Sequence, residues 1–253
     1  MMAPPPSQGT ALKLATVHID PRFRGPPRSG NGGYVVGLVA RYAPGPMEVR
    51  LRQPPPLEVP LEVIATAGDA IELRAGDDVL ASASPAAVDI VVPEAPSFAV
   101  AEDASTRYAG FGTNPFPGCF VCGPDRAVGD GLRIFAGPAS VGGSPLYAAP
   151  WRPDASLAGT RRSVRPEFMA AALDCPGYFA VAVEGEPMLL GSLAVEIGRA
   201  VEVDEPCVVI GWSLGGAGRK WRAGTAVFGA DGTCAARGVA TWIALKPEQV
   251  PRP

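Results

Sequence analysis

Asn31-Gly32-Gly33-Tyr34-Val35-Val36-Gly37-Leu38-Val39-Ala40-Arg41 is the stretch on which the fold turns. From Tyr34 to Ala40 no polar face interrupts it, so a helix formed here must be buried rather than laid on a surface. Asn31 stands at the N-cap position, where a short polar side chain can accept a bond from an unpaired N–H of the first turn. A short strand near 15–23 and a Gly/Pro-rich loop precede it. Strand-like runs follow at Met47–Arg52, Leu57–Ala67, Ala70–Ala75 and Val79–Ala87.

The same order recurs further along. Residues 94–118 carry several prolines and glycines with little periodicity, read as loop, and divide the chain almost in half. Beyond them Gly131-Leu132-Arg133-Ile134-Phe135 predicts a strand, and Arg165–Cys175 a helix stopped or kinked around Pro176-Gly177. Met188–Gly198, Cys207–Leu214, Lys220–Gly229 and Cys234–Leu245 predict strands. The last hairpins match: Ala75-Gly76-Asp77-Asp78 in the first half and Ala230-Asp231-Gly232-Thr233 in the second, where Asp231-Gly232 is a type I′ turn signal. The expected organisation is a disordered tail at 1–10, a first unit at 11–92, a linker at 93–129, a second unit at 130–246 and a tail at 247–253.

Composition narrows the class. Gly and Pro number 31 and 29 of 253 residues, yet 47% of the chain is hydrophobic and 19% charged, so it is expected to fold. A net charge of −3 argues against a nucleic-acid partner, which needs a basic face. No apolar run reaches the roughly 18 residues of a membrane span. Met1-Met2-Ala3-Pro4-Pro5-Pro6 has neither a basic nor an apolar signal region, so a cytoplasmic location is expected. His18, the one histidine, sits in an alternating, strand-like stretch, which leaves triads and multi-histidine metal sites without material.

The five cysteines are Cys119, Cys122, Cys175, Cys207 and Cys234. Their odd number and irregular spacing argue against a disulfide framework. Cys119 and Cys122 form a Cys-x2-Cys pair, but no second pair stands at zinc spacing. The expectation is a loop-fixing pair, with no metal and no cofactor.

Three segments resemble the hotdog thioesterase superfamily. Cys119-Phe120-Val121-Cys122-Gly123-Pro124, followed by Gly131-Leu132, resembles the opening of PaaI-like proteins. Val164-Arg165-Pro166-Glu167-Phe168-Met169-Ala170-Ala171-Ala172-Leu173-Asp174 is similar to that family's helix, which opens Val-His-Gly-Gly and ends Leu-Asp. Gly30-Asn31-Gly32-Gly33 resembles the helix start of TesB-like acyl-CoA thioesterases. The resemblance implies an α+β double hotdog, two units of long helix plus antiparallel sheet forming a pseudo-dimer with one continuous sheet. It also allows a homodimer of such chains.

It further implies a thioester hydrolase acting on a fatty or related acyl-CoA or acyl-carrier thioester. A helix start offers unpaired N–H groups to a carbonyl oxygen, and a carboxylate activates water. Arg165-Pro166-Glu167 stands where His-Gly-Gly is expected, and Ala40 where the first half should carry aspartate, so each half keeps a different part. The survivors predict one composite site, with Asp174 as base or nucleophile, Gly33 N–H as oxyanion donor and Ser192 placing the water. A glutamine of the TesB-like triad is replaced by Thr241. Asn31, Gly32, Tyr34, Arg165, Trp221 and Arg222 are candidate substrate contacts, the basic ones for coenzyme A phosphates, although a solvated strand end explains Arg219–Arg222 equally. The rival reading is a non-catalytic acyl-ligand binder on the same fold; a dehydratase ranks last because His18 lies away from a helix start.

Overall fold

The computed structural model describes residues 11–182 and 186–246, so the expected tails at 1–10 and 247–253 lie outside the described residues. Among the described residues eleven strands form one antiparallel sheet. In chain order they are β1 (Leu12–Val17), β2 (Met47–Leu51), β3 (Leu61–Ala65), β4 (Ile71–Ala75), β5 (Asp78–Pro85), β6 (Gly137–Val141), β7 (Ser144–Trp151), β8 (Met188–Ile197), β9 (Cys207–Ala217), β10 (Lys220–Phe228) and β11 (Cys234–Ala244). Their spatial order is β1-β3-β4-β5-β2-β8-β11-β10-β9-β7-β6. All five strands before residue 93 lie on one side, all six later ones on the other. β2 and β8 join the two groups, with Val49 opposite Leu193 and Arg50 opposite Ser192.

Among the described residues four α-helices accompany the sheet: α1 (Gly32–Ala40), α2 (Phe98–Ser105), α3 (Pro166–Ala172) and α4 (Cys175–Val181). The helices are short, not long: α1 has nine residues, α3 and α4 seven each. Alternation along the strands sets what each face buries. Val49, Val63, Leu73, Leu193, Val209 and Val227 point to the face that carries α1, α3 and α4, where the main core lies. On the other face the halves differ. Beside β2, β3 and β4 it is charged, with ion pairs Lys13–Glu62, Glu48–Arg50 and Glu72–Arg74. Beside β7, β9 and β10 it is apolar, and α2 covers it by setting Ala101 and Ala104 against Leu146, Val208, Ile210 and Phe228.

Residues 94–118 hold α2, capped by Ser97 Oγ at Val100 N, so the expected linker is packed structure rather than spacer. Gly131–Phe135 is not a strand of the sheet; its N–H groups at Leu132 and Ile134 donate to the carbonyls of Phe120 and Val121. The neighbouring β6–β7 hairpin was not expected, yet Gly142 and Gly143, at φ of 57° and 81°, make the turn that two consecutive positive φ values require. Asp231-Gly232 does not form a type I′ turn. Of the two, Gly232 alone has positive φ, and its N–H donates to Gly229 O. The expected stop or kink lies two residues before Pro176. The chain breaks at Leu173–Asp174, and Pro176 sits in the first turn of α4, where its missing N–H costs nothing. His18 follows β1 and is exposed.

Candidate functional site

α1 and α3 pack antiparallel, closely enough that glycine is obligatory at two positions one turn apart. A Cβ on Gly33 would stand 2.6 Å from Asp174 Cβ and 2.9 Å from Ala170 O; one on Gly37 would stand 2.5 Å from Glu167 Cα. This closeness sets the start of α1 against the end of α3.

Asn31 caps α1 by accepting from Tyr34 N at 2.9 Å. Its Nδ2 donates to Asp174 Oδ2 at 2.8 Å, and Gly33 N–H donates to the same oxygen at 2.9 Å. Asp174 holds the N-cap position of α4 but makes no cap bond there, because its carboxylate is turned toward α1. The carboxylate thus joins residues 141 positions apart, from opposite halves of the sheet. Both Asn31 and Asp174 are 3% exposed. Asp174 Oδ1 is buried and has no partner. Burial pushes the Asp174 carboxyl up to about 7; the Gly33 N–H bond opposes this, nearby Cys119 adds to it, and the Asn31 amide opposes it.

The two most sharply placed residues, Asp174 and Gly33, are therefore brought together, with Asn31 between them. The Gly33 N–H is not waiting for a carbonyl, however; it is already engaged by the carboxylate. Gly32 opens α1 against Leu190 and Leu51. Tyr34 lies in an aromatic group rather than a binding surface. Its ring stacks on Phe23 at 4.5 Å and lies 5.9 Å from Phe168, and burial pushes its hydroxyl up to about 12, with Glu167 adding to the rise. Phe120, from the Cys-x2-Cys turn, completes that group, 5.0 Å from Phe23 and 5.7 Å from Phe168.

The remaining candidates fall elsewhere. Ser192 does not face the helices. It pairs with Arg50 on β2, and its hydroxyl donates to Glu48 Oε1 at 2.9 Å on the charged face. The period-two alternation of β8 sends Leu193 into the core and Ser192 away from it. Trp221 packs at the start of β10 against Gly216, while Arg222 is exposed; among the described residues no hydrogen bond or ring contact ties either to Asp174. Arg165 precedes α3, its guanidinium 4.5 Å from the Phe168 ring centre and 3.6 Å from Glu167 Oε1. Two surface cavities, of about 700 and 610 Å³, lie by Arg199–Asp231 and by Val92–Phe98, and neither is lined by Asp174 or the α1 start.

The other end of the helix pair carries the counterpart. Glu167, 2% exposed, meets Arg41 Nη1 at 3.2 Å, next to the Ala40 that stands where an aspartate was expected. Arg41 is a residue the sequence reading passed over. Its signal was there, a single cation closing an apolar helix.

Cys175, solitary in the sequence, joins the Cys-x2-Cys pair in space, its sulfur 3.8 Å from that of Cys119. The sulfurs of Cys119, Cys122 and Cys175 all lie within 4.8 Å of one another, and all three residues are buried. Asn31 Nδ2, besides holding Asp174, donates to Cys119 Sγ at 3.8 Å. Hydrogen bonds from the Cys122 and Cys175 thiols, and then from the Cys122 and Val121 amides, hold the Cys119 thiol well below the ordinary range.

No protein-family model and no curated protein matches the sequence. Solved structures do match its shape. A hot dog fold protein of unknown function from Alicyclobacillus acidocaldarius superposes with a TM-score of 0.57 at 11% identity, covering 92% of this chain and 93% of that one. A protein assigned as a thioesterase II from Thermobifida fusca YX gives 0.59 at 12% identity, covering 95% and 97%. The tesB protein of Mycobacterium avium subs paratuberculosis gives 0.53 at 13% identity, covering 86% and 88%. At these identities the likeness establishes the hotdog fold. Among the described residues no helix is long and apolar enough to cross a membrane.

Proposed function

We propose that this hotdog-fold chain is a thioester hydrolase with one composite site, formed where Asp174 of the second half meets the α1 start of the first. In this reading residues 11–92 and 130–246 are two hotdog units of a pseudo-dimer, bridged by 93–129. The substrate is an acyl-CoA or acyl-carrier thioester, and the protein works in the cytoplasm. The observation that carries the proposal is the pair of bonds from Gly33 N–H and Asn31 Nδ2 to Asp174 Oδ2. A carboxylate and an oxyanion donor then stand one hydrogen bond apart, on different helices.

For turnover the thioester carbonyl oxygen takes the Gly33 N–H, and Asp174 gives it up. One exchange of partner produces two things at once. A helix-start donor faces the oxygen that gains charge, and a partly desolvated carboxylate is released. That carboxylate either takes a proton from the water that adds to the carbonyl carbon, or attacks that carbon itself and forms an anhydride that water then hydrolyses. In both cases the C–S bond breaks and the thiolate leaves as thiol with a proton from water. Asn31 stays hydrogen-bonded and orients the carboxylate. Arg165, Trp221 and Ser192 have no part in this version of the site.

The test is thiol release from a panel of acyl-CoA substrates by the wild type and by Asp174→Asn. The amide keeps the size and one acceptor, so fold and ligand affinity should persist while hydrolysis drops by about 10²-fold or more, the scale of a lost general base. Full activity in Asp174→Asn would remove the carboxylate from the mechanism. The second reading, an acyl-thioester binder without turnover, is favoured by the Gly33 N–H being satisfied internally. Saturable binding of the thioester with no thiol released would select it.

A further inference from the structure

We propose that Cys119, Cys122 and Cys175 bind one zinc ion through three thiolates. Zinc–sulfur bonds of about 2.3 Å at a tetrahedral angle hold two sulfurs about 3.8 Å apart. The Cys119–Cys175 separation is 3.8 Å, and the third sulfur lies within 4.8 Å of both. A disulfide would need about 2.05 Å, and all three cysteines are free.

The three sulfurs converge from two places in the fold. Cys119 and Cys122 belong to a tight turn, closed by Gly123 N–H donating to Cys119 O at 2.9 Å. Gly123 is required there, since a Cβ would stand 2.4 Å from Pro117 O and 2.5 Å from Cys119 O. Cys175 opens α4, directly after the α3–α4 break. Buried cysteines often serve as small apolar side chains. Two observations go beyond that. The Asn31 amide donates to Cys119 Sγ, as outer partners do to a ligating thiolate. Asp174, next to Cys175, keeps a buried oxygen with no partner, and an unpaired buried carboxylate oxygen is uncommon unless something is missing from its surroundings.

Three thiolates select soft or borderline metals, namely zinc, copper(I) or iron. The fourth position of a tetrahedral ion remains for an oxygen donor, which suits zinc better than copper(I). Binding replaces three S–H bonds by three zinc–sulfur bonds and releases the three protons to solvent, with no change of oxidation state.

The experiment uses the full chain, purified reduced, loaded with zinc chloride alone and desalted. Elemental analysis should give about one zinc per chain, and X-ray absorption three sulfurs and one light atom around it. Cys119→Ser, Cys122→Ser and Cys175→Ser should each lose most of the metal; Cys207→Ser and Cys234→Ser should keep it. Zinc well below one per chain after loading, copper in its place, or full retention by Cys175→Ser overturns the proposal. X-ray absorption on the wild type decides the matter even if a serine variant fails to fold. No thioester enters the measurement, and Asp174→Asn leaves all three sulfurs, so this proposal and the hydrolytic one fail separately.

Discussion

At one end of the α1–α3 pair, the Asp174 carboxylate is held by two uncharged N–H donors; at the other, the Glu167 carboxylate is held by two guanidinium groups. Both carboxylates are buried, and both reach from the second half of the chain to α1. The difference lies in what offsets the burial. Arg41 and Arg165 neutralise Glu167, and their own side chains are 31% and 41% exposed, so the pair behaves as a clasp between solvent and core. Asp174 has no cation among its bonded partners. It is stabilised by hydrogen bonds alone, and half of its acceptor capacity is unused. A charge kept in that condition is poised to change state, whereas a neutralised one is settled. The two ends of one helix pair thus separate a candidate reactive carboxylate from a structural one.

The largest expected effect tests what both ends share. Gly33→Ala and Gly37→Ala place a Cβ against the backbone of α3, at 2.9 Å from Ala170 O and 2.5 Å from Glu167 Cα. Backbone cannot swing aside as a side chain does, so the helices must separate. Each variant should lose about 3 kcal/mol, the upper part of the range for overpacking, read from urea midpoints. If either variant unfolds at the wild-type midpoint, the two ends are not locked to one another.

Asn31→Ala probes the first end alone. It removes the α1 cap, worth about 1 kcal/mol, and one charge-assisted bond to Asp174, worth about 1.5–3 kcal/mol. A loss of about 2.5–4 kcal/mol is expected if the two terms add, comparable with either glycine variant but confined to this end. A loss below 1 kcal/mol would mean that Asp174 leans on Gly33 N–H alone.

How much of this comparison could be read in advance depends on distance along the chain. The five strands of the first half, β8 to β11, and helix α1 with its Asn31 cap follow from periodicity and capping, and the meeting of Asp174 with Gly33 from the resemblance of the two helix segments to hotdog thioesterases. What was illegible is whatever depends on a face or a partner far away. Ser192 sits one residue from Leu193, and a period of two sends it to the opposite side. Cys175 looks solitary because its partners are more than fifty positions earlier, and nothing in its neighbours announces them. α2 fully buries Ala101 and Ala104 and half-buries Phe98, a side too short for periodicity to register over eight residues. The β6–β7 hairpin is the exception: Gly142-Gly143 was a turn signal in plain view.

The smallest expected effect is the sharpest test of the contrast. Glu167→Gln makes the same chemical change as Asp174→Asn, carboxylate to amide at equal size, at the opposite end of the same two helices. The glutamine carbonyl can still accept from Arg41 Nη1, which Glu167 Oε1 now does at 3.2 Å. Arg41 and Arg165 lose an ionic partner, but apart from the buried Arg165 Nε their side chains are partly exposed, so hydration recovers most of what the pair supplied. The expected loss is about 1 kcal/mol or less, with a thermal midpoint close to wild type. Thiol release should be unchanged, because no step assigned to the composite site passes through Glu167. If Glu167→Gln lowers turnover as far as Asp174→Asn does, while both remain folded, then the two ends are catalytically equivalent. The asymmetry between hydrogen-bonded and ion-paired carboxylates would then carry no functional meaning.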